Sequence, residues 1–300
     1  MAGPWERLTY TNARGESIVF SRTSMYHVNF RDVTGLYDVD NEIYSVGSMG
    51  QDGDTLVGTR VDVRDIEIVG HLRTTDKIRK HELRRKMDRV LDPHHTATLT
   101  YEFNGAKRVI DCLPDRAPAF RQRKNNVFEE FVVRLICLNP YWRDATQTRT
   151  DVAAWVGLFE FPAETGGLGI VADEWEIGER TISVVANIIN SGDVDTGIRI
   201  SFRATGTVST PELTDMETGE YIRINTTMDA GDEIVITTGY GEKKVKLIRD
   251  GEETNIFRLL DVGSTYLQAK AGDNLYRYDA AEGVDALDVV IWHNNLYLGV

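Results

Sequence analysis

The chain has 300 residues, 41% hydrophobic and 27% charged, a length that suits roughly two domains, each with a core of its own. Its formal net charge of −13 is unevenly shared: residues 1–145 carry 22 Lys and Arg against 21 Asp and Glu, and residues 146–300 carry 12 against 26. The acidic second half would repel phosphates, which argues against a nucleic-acid grip there, and no run approaches the roughly 18 apolar residues of a membrane span.

In chain order, "MAGPWERLTYTN" lacks the apolar stretch of a secretory signal, and "ESIVF" (16–20) reads as a strand. Between positions 35 and 59 lies a stretch punctuated by Gly35, Gly47, Gly50, Gly53 and Gly58. It is too long for a tight turn. A loop of that length in a compact domain is usually functional, and an arm reaching a neighbouring molecule is one use for it. In "RVDVRDIEIVGHL" the apolar parity slips between Val63 and Ile66, which predicts a β-bulge near Arg64 and Asp65. The spacing of Leu83, Met87, Val90 and Leu91 predicts a helix, with Thr75 as N-cap, Asp76 in the first turn and Pro93 as terminator. Its other face is basic and includes Arg79, Arg84, Arg85 and Arg89. That face reads as a solvated surface or as a contact to a neighbouring subunit.

Further strands are expected at 96–103, 107–113 and 126–138, with Asn104-Gly105 as a hairpin turn between the first two. The last of them runs into "RLICLNPYWRD" (134–144), where an apolar strand stops at Asn139-Pro140 and two large aromatics follow. Pro140 cannot continue a central strand, and Tyr141 and Trp142 suit packing between two domains with their polar tips toward water. The charge step falls just beyond, so the expected boundary separates 1–145 from 146–300. The second half alternates short candidate strands (180–190, 198–205, 220–226, 232–238, 243–249, 264–270, 273–279, 286–293 and 295–299) with turns such as "METGE" and "RDGEE". That pattern predicts a β-sandwich of jelly-roll type.

Few residues suggest chemistry. Cys112 and Cys137 read as buried thiols rather than a disulfide. "GQDGD" (50–54) lacks the further ligands of a calcium loop, and His94-His95 lacks partners at metal-ligand spacing. No nucleophile elbow or phosphate loop occurs, so no catalytic residue, metal or cofactor is expected. Trp155, Trp175, Tyr240, Tyr266, Tyr276, Tyr278, Trp292 and Tyr297 read as core or as a sugar-stacking platform.

The order of these features carries a resemblance. A strand-rich first half with one helix and a Gly-rich arm ends in Pro140, Tyr141 and Trp142; "DTGIRISFRATGTVSTPELTDMETGEYIRINTTMDAGDEIVITT" (195–238) and "HNNLYLGV" follow. This arrangement resembles the distal tail protein (Dit) family of siphophages. The resemblance implies a mainly β fold: a tail-tube-like β-barrel or sandwich with one α-helix, then a galectin-like sandwich. It implies a non-enzymatic virion protein at the distal end of the tail, assembled in the host cytoplasm as a homohexameric ring. The implied partners are the tail-tube protein, the tail-tip hub, the tape-measure protein and receptor-binding or side-fibre proteins. DNA would pass through a neutral or acidic channel without specific binding. Three other readings stand beside it: a carbohydrate-binding host-recognition module, the tail-tube protein itself, and an enzyme acting on cell-wall polymers.

Overall fold

The computed structural model describes residues 6–122, 129–152, 154–159, 177–181 and 185–300. They form two compact units: residues 1–146 with 296–300, and residues 147–295. Residues 296–300, which the sequence reading puts in the second domain, therefore belong to the first unit.

The first unit comprises β1 (Glu6–Asn12), β2 (Ser17–Ser21), β3 (Tyr26–Thr34), β4 (Asn41–Val46), β5 (Thr55–Val61), β6 (Arg64–Leu72), α1 (Lys77–Val90), β7 (Ala97–Phe103), β8 (Ala106–Pro114), β9 (Ala119–Gln122), β10 (Glu129–Cys137) and β11 (Trp142–Asp144). The second comprises β12 (Thr148–Asp151), β13 (Ala154–Phe159), β14 (Ile177–Thr181), β15 (Val185–Asn190), β16 (Thr196–Ala204), β17 (Val208–Asp215), β18 (Tyr221–Arg223), β19 (Thr227–Met228), β20 (Glu233–Thr237), β21 (Lys244–Arg249), β22 (Glu252–Asn255), β23 (Gln268–Ala269), β24 (Gly272–Glu282) and β25 (Leu287–His293). The last strand, β26 (Leu296–Tyr297), returns to the first unit.

Ten strands of the first unit run in the order β26-β11-β8-β7-β1-β2-β3-β6-β10-β9, and β10 also pairs with β8 through Leu135–Pro114 and Ile136–Leu113. That second pairing closes the sheet into a barrel, which removes the free edges from its central strands. Strict alternation along β1, β6 and β10 sends Leu8, Tyr10, Ile66, Ile68, Phe131, Val133 and Leu135 into one core. Gly70 on β6 is required by this packing. A Cβ there would lie 2.4 Å from the Phe131 ring and 2.6 Å from the His27 carbonyl oxygen. Asn104 and Gly105 both take positive φ, the requirement of a tight hairpin turn between β7 and β8.

Helix α1 docks Leu83, Met87 and Val90 on this core. Its N-cap is Asp76, whose carboxylate accepts from the Ile78 N–H at 2.9 Å, so Asp76 takes the place expected for Thr75. The helix ends at Val90, with buried Leu91 as C-cap, three residues before Pro93 could intervene. The parity slip at 61–66 also has a different cause. β6 pairs with β10 in unbroken register from Arg64 to Leu72; the chain instead changes sheet at Asp62–Val63, so Val61 and Ile66 belong to different elements. The register shift of this region lies on β3, between Val28 and Val33.

The second unit is a sandwich. One sheet runs β12-β25-β16-β20-β21-β22 with β23 beside β16, and the other β15-β24-β17-β18 with β19 beside β17. Ile198, Ile200, Phe202, Ile234, Ile236, Val289 and Ile291 from one sheet share a core with Ile188, Leu213, Ile222, Tyr276 and Tyr278 from the other. β17 was not among the expected strands. Its "VSTPELTD" contains Pro211 and few β-branched apolar residues, yet it pairs with β24 over most of its length. Pro211 is accommodated because the β17 partner changes there from β19 to β18 with a one-residue shift, and Thr210 takes φ 54°.

One side chain ties the first unit together. Arg64 is 1% exposed, and its guanidinium donates to five backbone carbonyls: Gly35, Asp38 and Pro140 at 2.7 Å each, Leu36 at 3.5 Å, and Leu298. Burial pulls its pKa below the ordinary arginine value, and Cys137 and Asp38 nearby oppose that fall.

Replacing Arg64 by Met should therefore leave these carbonyls without their donor and lose at least about 3 kcal/mol of stability, measured by denaturant unfolding against wild type. An alkaline limit is also expected. Burial raises the Cys137 thiol from 9.0 to about 12 and the Tyr26 phenol from 10.0 to about 12, and it raises Cys112 and Tyr10 as well. A neutral acid whose folded pKa exceeds its unfolded value adds stability that is complete below the unfolded pKa and is lost as pH rises through the folded one. The urea midpoint should fall steadily between pH 9 and pH 12. In native protein at neutral pH neither thiol should react with Ellman's reagent, and both should react in denaturant.

Candidate functional site

The stretch expected as a loop is a projecting β-ribbon. β4 and β5 pair only with each other, from Asn41–Val61 to Val46–Thr55. Every residue of β4 is exposed. Opposite residues share a face, so one face presents Tyr44 and Val46 and the other Ile43 and Leu56. Val57 is the extra residue where the register slips between Tyr44 and Ser45. Ile43, Leu56 and Val57 are each more than 60% exposed, and Met49 stands fully exposed in the tip. An isolated two-stranded ribbon with apolar residues on both faces is marginal in water and gains most when something covers it.

The five glycines are spread over the tip, strand β5 and the root. Gly47, Gly50 and Gly53 lie in the tip, the latter two with positive φ, and Ser45 donates to Asp54 across the ribbon at 3.0 Å. Gly58 faces Tyr44 in β5. Gly35 is at the root, with φ 79°, and a Cβ there would lie 2.0 Å from the Asp65 carbonyl oxygen. Only glycine permits both the left-handed turn and that approach. At the other limb of the root Asp62 donates its N–H to Asp40 at 2.9 Å.

The basic face of α1 is largely committed within the chain. Arg79 pairs with Glu82 at 2.9 Å, Arg89 pairs with Glu16 at 3.0 Å, and Arg84 pairs with the buried carboxylate of Glu129 while lying 5.5 Å from the Phe120 ring centre. Arg84 is thus a tie between helix and barrel. Arg85, exposed on the outer face, remains directed away from the core.

The Asn139–Trp142 corner is placed by its backbone. Asn139 accepts the Tyr141 N–H at 3.2 Å, Pro140 supplies its carbonyl to Arg64, and Trp142 begins β11. Trp142 is wholly buried in the first unit's core, edge-on to Tyr101 at 6.5 Å. Its indole nitrogen is buried too, so the expected polar tip in water does not hold for Trp142; Tyr141 is half-buried. β11 pairs on one side with β8 and on the other with β26, where Trp142 faces Tyr297.

No group of three or more His, Cys, Asp or Glu side chains among the described residues is placed to hold a metal. His94 instead engages Asp92 at 2.8 Å, and the backbone N–H of His94 is the first cause that holds that carboxyl below its ordinary range. Of the aromatics read as a sugar platform, Tyr276 and Tyr278 are core, and Trp292 lies under the Arg199 guanidinium at 4.6 Å. Tyr240 is exposed, with Lys243 at 5.7 Å from its ring centre. Trp175 and the Trp155 side chain lie outside the described residues.

Comparison with known proteins matches both units. Residues 14–137 match the model of a phage tail protein RIFT-related domain, and residues 191–293 match the C-terminal domain of a siphovirus-type tail component. Among solved structures the fold is similar to that of SPP1 Dit, described as a paradigm of the hub adsorption apparatus in phages infecting Gram-positive bacteria. The TM-score is 0.67 at 12% identity, over 95% of this chain and 98% of that one. It is also similar to a chain of the phage P2 baseplate in its activated conformation with calcium, with TM-score 0.50 at 11% identity over the full length of both. A search of curated protein sequences finds no match. With its barrel and its sandwich each matched by a siphophage tail-protein domain, the chain belongs to the distal tail protein family of siphophages.

Proposed function

We propose that this chain assembles as a homohexameric ring at the distal end of the tail, between the tail tube and the tip. The observation that carries the reading is the β4–β5 ribbon, whose two apolar faces find no cover in their own sheet. In this reading the ribbon, from Gly35 through Gly47, Gly50, Gly53 and Gly58, is the inter-subunit arm. The outer face of α1 near Arg85 and Arg89 meets a neighbouring subunit, and the corner Pro140, Tyr141 and Trp142 holds the chain's exit from the barrel. The ring surrounds a channel for DNA and the tape-measure protein, neutral or acidic in lining so that DNA slides without gripping. The sandwich carries tip, side-fibre or receptor-binding proteins. The protein has no catalytic role, and it assembles in the host cytoplasm before it is part of the virion.

Light scattering and negative-stain imaging of the purified protein, alone and mixed with the tail-tube protein, test this. The expected species has six times the 33.8 kDa mass of one chain and shows open six-fold rings. Ile43→Lys with Leu56→Lys should shift it to single chains, weakening assembly at least about tenfold, with the unfolding midpoint unchanged. Long tubes would favour the tail-tube reading. Single chains that bind glycans in the presence of the tube protein would favour the carbohydrate-binding one.

A further inference from the structure

The root of the arm is held by residues 296–300. Contacts to the barrel and to the root fix this segment. Leu298 offers its carbonyl to the same Arg64 guanidinium that takes Gly35 and Asp38 at the root. Gly299 offers its carbonyl to Arg108, whose guanidinium lies 3.7 Å from the centre of the Tyr297 ring. Tyr297 pairs with Trp142 and donates to Asp144 at 3.3 Å, and Val300 packs against the barrel core. Most directly, Gly299 lies on the backbone of Tyr37. A Cβ at 299 would be 2.8 Å from the Tyr37 carbonyl oxygen and 3.3 Å from its Cα.

We infer that residues 296–300 are a strap that sets the pose of the arm, so that the arm is ordered only once this segment, which follows the second unit, has returned to the barrel. Without the strap, one donor of Arg64 loses its acceptor and the face of Tyr37 opposite Gly299 opens to water. The root then keeps the Asp62–Asp40 bond, the Gly35 approach, the Leu36 side chain in the core, the Tyr37–Tyr101 hydrogen bond and the remaining Arg64 bonds, but loses the contacts that fix the Tyr37 backbone from the strap side. Arm order thereby depends on a segment that the whole of the second unit separates from the rest of the barrel in sequence. A subunit whose residues 296–300 have not docked would hold an unset arm, which keeps it out of an assembly. The consequence for assembly rests on the ring reading; the ordering of the arm does not.

Amide hydrogen exchange on the full chain and on a chain ending at Asn295 separates the two. Removal of 296–300 should leave β1, β6 and β7 protected and speed exchange over residues 36–46 and 55–61 at least about tenfold. Unchanged exchange there overturns the strap, whatever happens to the oligomer. Faster exchange with rings still forming upholds the strap and removes the arm from ring assembly. Should the shortened chain fail to fold, Gly299→Ala in the full chain serves instead, since it leaves Arg64, Trp142 and Tyr297 in place. The same acceleration at 36–46 is expected from it, and an arm as protected as in wild type overturns the proposal.

Discussion

A positive charge buried among main-chain carbonyls organises the first unit. Taking a guanidinium out of water is costly unless its donors are satisfied, and Arg64 satisfies its donors with main-chain carbonyls. The planar fork fixes where those carbonyls must stand, so the arm root, the Pro140 corner and the C-terminal strand are held in one plane of contact. A lysine could not do this, because a point charge on a flexible stem imposes no such directions. The corner "NPYW" makes sense on these terms. Proline stops β10 pairing and presents its carbonyl inward, and Trp142 starts a new strand with its ring in the core.

That centre also gives the unit its topology. β11 and β26 are paired neighbours, so the chain leaves the barrel beside the place where it re-enters. The sandwich is an insertion between two adjacent strands of the barrel sheet, and each unit keeps a separate core. The arm departs from the rule that strands bury a face. It projects from a root that is over-determined by Gly35, Arg64 and Gly299, while its own two strands rely on each other alone. A rigid root with a sticky, self-insufficient tip is the physical description of an element made for a partner.

Local signals were legible where local physics decides. The Asn104-Gly105 hairpin, the amphipathic spacing of α1 and the alternation along β10 each follow from neighbours a few residues apart. Misreadings cluster where something distant decides. Thr75 and Asp76 are both competent caps, and the docking of Leu83 and Met87 chooses the start of the helix. β17 hides behind Pro211 and is a strand because β24 supplies the partner. The slip at 61–66 looked like a bulge within one strand, since one-dimensional parity cannot distinguish a bulge from a change of sheet.

The candidate site divides the same way. Sequence alone determined that 35–59 is a glycine-punctuated excursion, that the chain breaks at Pro140, that the halves differ in charge, and that both halves are strand-built. These depend on composition, turn chemistry and periodicity, which act over a few residues. Only the tertiary structure decided that the excursion is a ribbon with two apolar faces, that Trp142 is a core residue, that Arg64 is buried, and that residues 296–300 join the first unit. Each of these brings together groups far apart in sequence, Arg64 with Leu298 above all. No local pattern marks such a pairing, because the carbonyls that receive the guanidinium are main-chain atoms that every residue possesses.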